Sequence, residues 1–299
     1  MLRKCLAALG VMTWMLAAAP ADAQDKLRIV ATFSILADLA KNVGGDAVDV
    51  GSLVGPNGDA HAYAPSPADA KRLADAKLVL VNGLGFEGWI ERLVKASGTK
   101  ATVAMAAKGV KPRQMKDEDG HDHGKSDPHA WQSVANTKIY IANIRDALVK
   151  ADPAGKAAYE ANASAYLAKL DALENDVTAT IAAIPAERRK IITTHDAFGY
   201  FGAAYGMQFI APQGVSTESD VSARDVAKII RQIKTQKIPA VFMENVTDPR
   251  LMKRIAEESG AKVGGKLYSD ALSEPSGPAA TYIDMMRNNL KEFRGALTS

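Results

Sequence analysis

From Lys156 to about Ala183 the chain runs without glycine or proline through a stretch rich in Ala, Leu, Glu and Lys. No other segment limits the possible folds as much. Tyr159, Ala163, Tyr166, Leu167, Leu170, Leu173, Val177 and Ile181 recur near helical spacing, which predicts one unbroken helix with an apolar stripe. At ~1.5 Å per residue, about 28 residues make a rod of ~42 Å. A rod that long spans a whole α/β unit, so it can join two units rigidly.

The sequence on both sides of the rod alternates strand and helix patterns. Before it, Leu27–Phe33, Val48–Val54, Leu78–Val81 and Ala101–Ala104 read as strands. Leu78–Val81 is apolar throughout, which suits a sheet buried on both faces. Helices are expected from Ser34 to about Val43, over Ala68–Ala76 behind Ser66-Pro67, and near Glu87–Ala96. A further helix is expected from Asp127-Pro128 to about Lys150, with Pro153 interrupting the chain. Past Pro185, Ile191–Thr194, Gln208–Ala211, Ala240–Met243 and Ala261–Val263 read as strands. Phe198–Ala204, Ser222–Lys237, Pro249–Ser259 and Ala279–Leu297 read as helices, and Ser222-Ala223-Arg224-Asp225 resembles a capping box. The alternation predicts an α/β fold of two lobes, each with a mostly parallel sheet, bridged by one long rigid helix. Residues 108–128 stand apart. Lys116–Ser126 is polar, contains glycine and lacks periodicity, which predicts a mobile loop.

Composition narrows the function. Arg3 and Lys4, the apolar run Cys5–Ala19 and Ala21-Asp22-Ala23 together read as a secretory signal with a cleavage site before Gln24. The run is shorter than the ~20 residues of a membrane span. Cys5 is the sole cysteine and sits too early to be a lipidated one, so a soluble periplasmic protein without a lipid anchor is expected. A metal site in the mature chain would then use nitrogen and oxygen ligands alone. The formal net charge is +3 for the whole chain and closer to neutral without the signal, which argues against nucleic acid as a partner.

Three of the five histidines lie where a strand gives way to a loop or helix: His61 in Gly58–Tyr63, His129 in Asp127–Trp131 and His195 in Thr193–Phe198. Asp270, in Leu267–Asp270, occupies a similar place. Open parallel sheets bind ligands outside the carboxyl ends of their strands, so two facing lobes would bring these four into one metal cleft. Each has an ordinary alternative. His129 could belong to a first helical turn capped by Asp127, and Asp270 could itself be a turn or helix cap. Their coincidence is the stronger signal, because three imidazoles and one carboxylate can close a tetrahedral shell. His121 and His123 sit among Asp117, Glu118, Asp119 and Asp122, either as a weak site that collects metal or as a solvated acidic loop. Tyr63, Asp196 and Glu244 are candidates to orient the ligands. HExxH, GxGxxG and P-loop motifs are absent.

At these residues the chain resembles the periplasmic solute-binding proteins of zinc and manganese ABC importers, the cluster A-I family. The resemblance covers essentially the whole mature sequence. It is densest at Val30–Asp38, Gly58–Pro67, Leu80–Trp89, Asp127–Trp131, His195–Phe201 and Phe242–Asn245. It implies His61, His129, His195 and Asp270 as the four metal positions, two from each lobe. Members specialised for manganese carry Glu at the third position. The best-known zinc members lack the aspartate and carry a long His-rich loop and a cysteine pair. This chain looks more like the subgroup with three histidines and an aspartate, which includes zinc binders and a protein accepting both metals.

The expected function is therefore capture of Zn2+ for delivery to an importer, with Mn2+ or dual use as the alternative. A closed shell of protein ligands disfavours an enzyme such as a zinc hydrolase, and sparse aromatics argue against a haem or siderophore receptor. The expected partner is an inner-membrane ABC permease, with a periplasmic metallochaperone as a further candidate and the chain itself a monomer. The expected division is a signal over 1–23, an N-terminal lobe over 24–153, a linking helix over 154–184 and a C-terminal lobe over 185–299.

Overall fold

The computed structural model describes residues 25–116 and 122–298. The expected signal and His121 lie outside the described residues, as does the side chain of His123. Among the described residues, two four-stranded parallel sheets account for the strand patterns. The first contains β1 (Leu27–Phe33), β2 (Val48–Val54), β3 (Leu78–Val81) and β4 (Thr102–Met105), in the order β2-β1-β3-β4. A short antiparallel hairpin follows, β5 (Gln114–Lys116) with β6 (Asp122–Ser126). The second sheet contains β7 (Lys190–Ile192), β8 (Gln208–Ile210), β9 (Ala240–Glu244) and β10 (Lys262–Leu267), in the order β8-β7-β9-β10. In both sheets the second strand of the half lies outside the first, and the third and fourth follow on the other side. The halves thus share one topology, and in each the winding direction reverses beside the first strand. Crevices form at such reversals.

The helices of the first half are α1 (Ser34–Gly44), α2 (Pro67–Asp75), α3 (Ile90–Ser97) and α4 (Val134–Ala151). Then come α5 (Lys156–Ala182), α6 (Gly199–Tyr205), α7 (Ala223–Gln236), α8 (Arg250–Ser259) and α9 (Tyr282–Leu297). The expected capping box forms at Ser222 with Asp225 on α7, and a second forms at Ser66 with Asp69 on α2. The long helix α5 buries Tyr159, Ala163, Tyr166, Leu170, Leu173, Val177 and Ile181 along one stripe. That stripe packs on α1 and α4 of the first half and on α6 and α9 of the second. One continuous apolar core runs through the first sheet, α1, α4, α5 and α9. A smaller cluster under α7 and α8 completes the second sheet. None of these helices is long and apolar enough to cross a membrane.

Three expectations change. The segment after Asp127 does not begin a helix. It forms a 3-10 turn over Ala130–Gln132, and α4 starts only at Val134 behind Ser133 as its cap. The cause is tertiary: Trp131 Nε1 and Gln132 Nε2 both donate to the carbonyl of Ser269, 2.9 and 2.8 Å away, and hold the turn against the second half. The helix expected near Glu87 starts at Ile90, because Glu87 turns inward. It accepts from Thr32 Oγ1 and the Asn82 N–H, each at 2.6 Å. Parts of the expected mobile loop pair as β5 and β6, with Gln114 opposite Ser126.

Candidate metal centre

The four sequence candidates meet. One ligand atom from each of His61, His129, His195 and Asp270 lies within 4.8 Å of all the others. His61 and His129 face each other through their Nε2 atoms at 3.2 Å. Asp270 Oδ2 lies 3.0 Å from His195 Nε2 and 3.4 Å from His61 Nε2, and Oδ1 lies 3.6 Å from His129 Nε2. A tetrahedral ion with bonds of ~2.0–2.1 Å separates its ligand atoms by about 3.3 Å. These contacts bracket that spacing.

The backbone explains the meeting. His61 follows β2, and His129 follows the hairpin beyond β4. His195 lies just beyond β7, where it bridges to Gln213, and Asp270 follows β10. The Asp270 segment is pinned from the first half. Besides the two bonds to Ser269 O, the Leu272 N–H donates to Ser34 Oγ at 3.0 Å, and the Asn57 N–H donates to Leu272 O at 2.8 Å. The His61 loop is held by Trp89 Nε1, which donates to Ala60 O at 2.8 Å, and by Asp59. Asp59 Oδ1 accepts the His61 N–H, and Oδ2 accepts Thr217 Oγ1 from the second half at 2.6 Å.

Two imidazoles are oriented by carboxylates. Asp127 Oδ1 lies 2.9 Å from His129 Nδ1 and accepts the His129 N–H. Glu244 Oε2 lies 2.6 Å from His195 Nδ1, and Oε1 accepts the N–H groups of Thr194 and His195. A carboxylate on Nδ1 fixes the proton there and leaves the Nε2 lone pair facing the cluster. Among the described residues nothing plays this part for His61. Of the three residues expected to orient ligands, Glu244 lies against one, with Oε2 beside His195 Nδ1. Tyr63 instead donates to Asp69 Oδ2, on α2. The Asp196 carboxyl bonds to none of the three histidines among the described residues, and burial, then nearby Asp127, pushes its pKa up. Asp127 was missed as an orienting group because its spacing from His129 fits a helix cap equally well.

His129, His195 and Asp270 are fully buried, whereas the His61 side chain keeps 6% exposure. His61 borders a cavity of about 450 Å³ that also touches Phe86, Ser126, Pro128, Ser216 and Glu218. Phe86 packs edge-on against His61 and His129, Trp131 packs edge-on against His129, and Phe33 packs on both Phe86 and Trp131. Burial alone would lower the His195 pKa, but the Glu244 and Asp270 carboxylates outweigh it and hold the imidazole well above its usual value. Burial would likewise raise Asp270, but His195 and then His129 hold it well below the carboxylate range. A cation ligated by imidazole nitrogens competes with protons for them, so binding should weaken as pH falls.

Two α/β halves of one topology, closing three imidazoles and a carboxylate where their strand ends face each other, define a binding protein for a small cation. The family described as zinc-uptake complex component A, periplasmic, matches residues 29–296. The chain is 36% identical to the iron-binding protein YfeA of Yersinia pestis over 89% of its own length and 85% of the relative's. It is 34% identical to the manganese-binding lipoprotein MntA of Halalkalibacterium halodurans, over 92% and 89%. The periplasmic zinc binding protein TroA of Treponema pallidum superposes with a TM-score of 0.85 at 29% identity, covering 91% of this chain and 99% of that one. The chain belongs to this family: it is a metal-binding, substrate-binding protein of an ABC transporter and not an enzyme. The three relatives are named for three different metals, so kinship does not fix the ion. The expectation of a chain without a lipid anchor is withdrawn, since MntA is named a lipoprotein and the N-terminal residues lie outside the described ones.

Proposed function

We propose that His61, His129, His195 and Asp270 ligate a divalent first-row cation, zinc by preference, which the chain carries outside the cytoplasmic membrane to an ABC permease. The observation behind this reading is the convergence of three Nε2 atoms and one carboxylate, with contacts of 3.0–3.6 Å between them. Nitrogen-rich, four-ligand sites favour zinc, while manganese prefers more oxygen and higher coordination. Four protein ligands leave no position for an activated water, so the site suits transport rather than hydrolysis. The cation is cargo: it enters beside His61, displaces a proton, and leaves to the permease. Residues 24–153 and 185–299 act as two lobes joined by the helix of 154–184, and the carrier works as a monomer. A periplasmic metallochaperone is a second source of the ion, and His121 and His123 are candidates to collect it.

Manganese is the second reading, and Asp270 favours it. Both carboxylate oxygens face the cluster, Oδ2 toward His61 and His195 and Oδ1 toward His129. Bidentate binding would add an oxygen and raise the coordination number. Elemental analysis of the purified protein, followed by competition of Zn2+ against Mn2+, tests the choice. Zinc should be recovered near one ion per chain and should displace manganese. Preferential retention of manganese would reverse the assignment.

A further inference from the structure

Arg113 and Asp127 form the foot of the β5–β6 hairpin. Arg113 directly precedes β5 and Asp127 directly follows β6, and the Asp127 N–H donates to Arg113 O at 2.9 Å. Their side chains also meet, with Arg113 Nη1 donating to Asp127 Oδ2 at 3.1 Å. One carboxylate therefore holds the guanidinium with one oxygen and the His129 imidazole with the other. The second half closes over this pair. The Arg113 N–H donates to Tyr200 Oη at 2.9 Å, and a Cβ at Gly199 would overlap both Arg113 Nη1 and Asp127 Oδ2. On the other side, Glu244 Oε1 accepts from two backbone N–H groups, and no Arg or Lys among the described residues is paired with Glu244.

We propose that Arg113 is a positioning residue for metal capture. By gripping Asp127 from behind, it holds His129 in its ligating orientation and ties the hairpin to the centre. It also offsets negative charge, since Asp127, Glu244 and Asp270 place three carboxyl groups around a doubly charged ion. The Arg113 side chain is 38% exposed, so solvent screens it. Its effect should fall at the lower end of the 10–100-fold seen for groups that orient metal-binding histidines.

The inference rests on His129 being a ligand, and the test separates the two claims. Zinc affinity is measured by chelator competition for the wild type, Arg113→Ala, Arg113→Lys, Asp127→Asn, the double variant Arg113→Ala/Asp127→Asn, and His129→Ala. Arg113→Ala should weaken zinc binding by about 10-fold. Arg113→Lys should recover most of that loss, because one nitrogen makes the contact and no bidentate fork is needed. In the Asp127→Asn background, Arg113→Ala should add less than about twofold, because the route through Asp127 is already weakened. Wild-type affinity in Arg113→Ala, or an undiminished loss in the Asp127→Asn background, overturns the proposal. Wild-type affinity in His129→Ala overturns the ligand assignment instead. If Arg113→Ala fails to fold, Arg113→Gln keeps most of the stem and carries the same expectations.

Discussion

The loop of His61 and the loop of Asp270 reach the same cluster from opposite halves, yet they are held very differently. Asp270 is fully buried, and its segment accepts hydrogen bonds from Trp131, Gln132 and Asn57 of the first half and donates one to Ser34. His61 lies at the edge of a cavity, has no orienting carboxylate among the described residues, and its loop is held by the Trp89 bond to Ala60 O and by Asp59 with its bond from Thr217. A carrier needs a centre rigid enough to select an ion and loose enough at one point to release it. On the proposed reading the difference between the loops supplies both: His129, His195 and Asp270 would define the site, and the cation would enter and leave beside His61.

The widest gap between the loops should appear on removing ligands. If four ligands share the ~10–16 kcal/mol of a structural zinc site, each accounts for about 3 kcal/mol, or about 100-fold in affinity. Asp270→Ala and His195→Ala should each lose zinc affinity by about that factor, whereas His61→Ala, lacking a carboxylate behind its ring, should lose nearer 10-fold. Chelator competition checks this, and equal losses at His61 and Asp270 would erase the distinction.

The fixed side should also leave a mark on stability. Asp38 on α1 accepts the Tyr282 N–H at the start of α9, joining the halves near the Asp270 segment. Burial, partly countered by that bond, raises its pKa to about 6. A carboxyl raised in the folded state binds its proton more tightly there than in the unfolded chain. Stability should therefore fall as pH rises from about 4 to about 6, by at most about 3 kcal/mol. Asp38→Asn should remove that part of the pH dependence in thermal melts of the metal-free protein. Parallel profiles for the two proteins would show that Asp38 does not titrate this way.

Smaller effects separate the two loops further. Trp131→Phe removes the indole bond to Ser269 O and should cost about 1–2 kcal/mol of stability, with weaker metal retention. Thr217→Val removes the bond to Asp59 and should cost about 1 kcal/mol at the His61 loop alone. Stopped-flow release into a chelator should then run up to about fivefold faster, with the melting temperature little changed. A large stability loss in Thr217→Val would mean that the His61 loop is as structural as its counterpart.

Much of this was legible from local pattern. The glycine- and proline-free run from Lys156 predicted α5 nearly to the residue, and β3 stood out by its apolar content. The four residues of the cluster were legible because each follows a strand, where parallel sheets present side chains to a cleft. What escaped depends on partners distant in the chain. Trp131 and Gln132 are drawn to Ser269, which delays α4 to Val134, and no pattern near Asp127 foretells that pull. Asp127 orients His129 rather than capping a helix, and Tyr63 turns to Asp69 on α2 rather than to the cluster. The β5–β6 pairing lacks alternating apolar residues, so nothing in its composition marks it as a hairpin.

One divalent cation should sit among His61, His129, His195 and Asp270. Anomalous diffraction at the zinc edge from crystals of the zinc-loaded protein tests it most directly. One strong peak is expected about 2.0–2.2 Å from the three Nε2 atoms and from an Asp270 oxygen. A principal peak elsewhere, or one that leaves any of the three histidines uncoordinated, would contradict it.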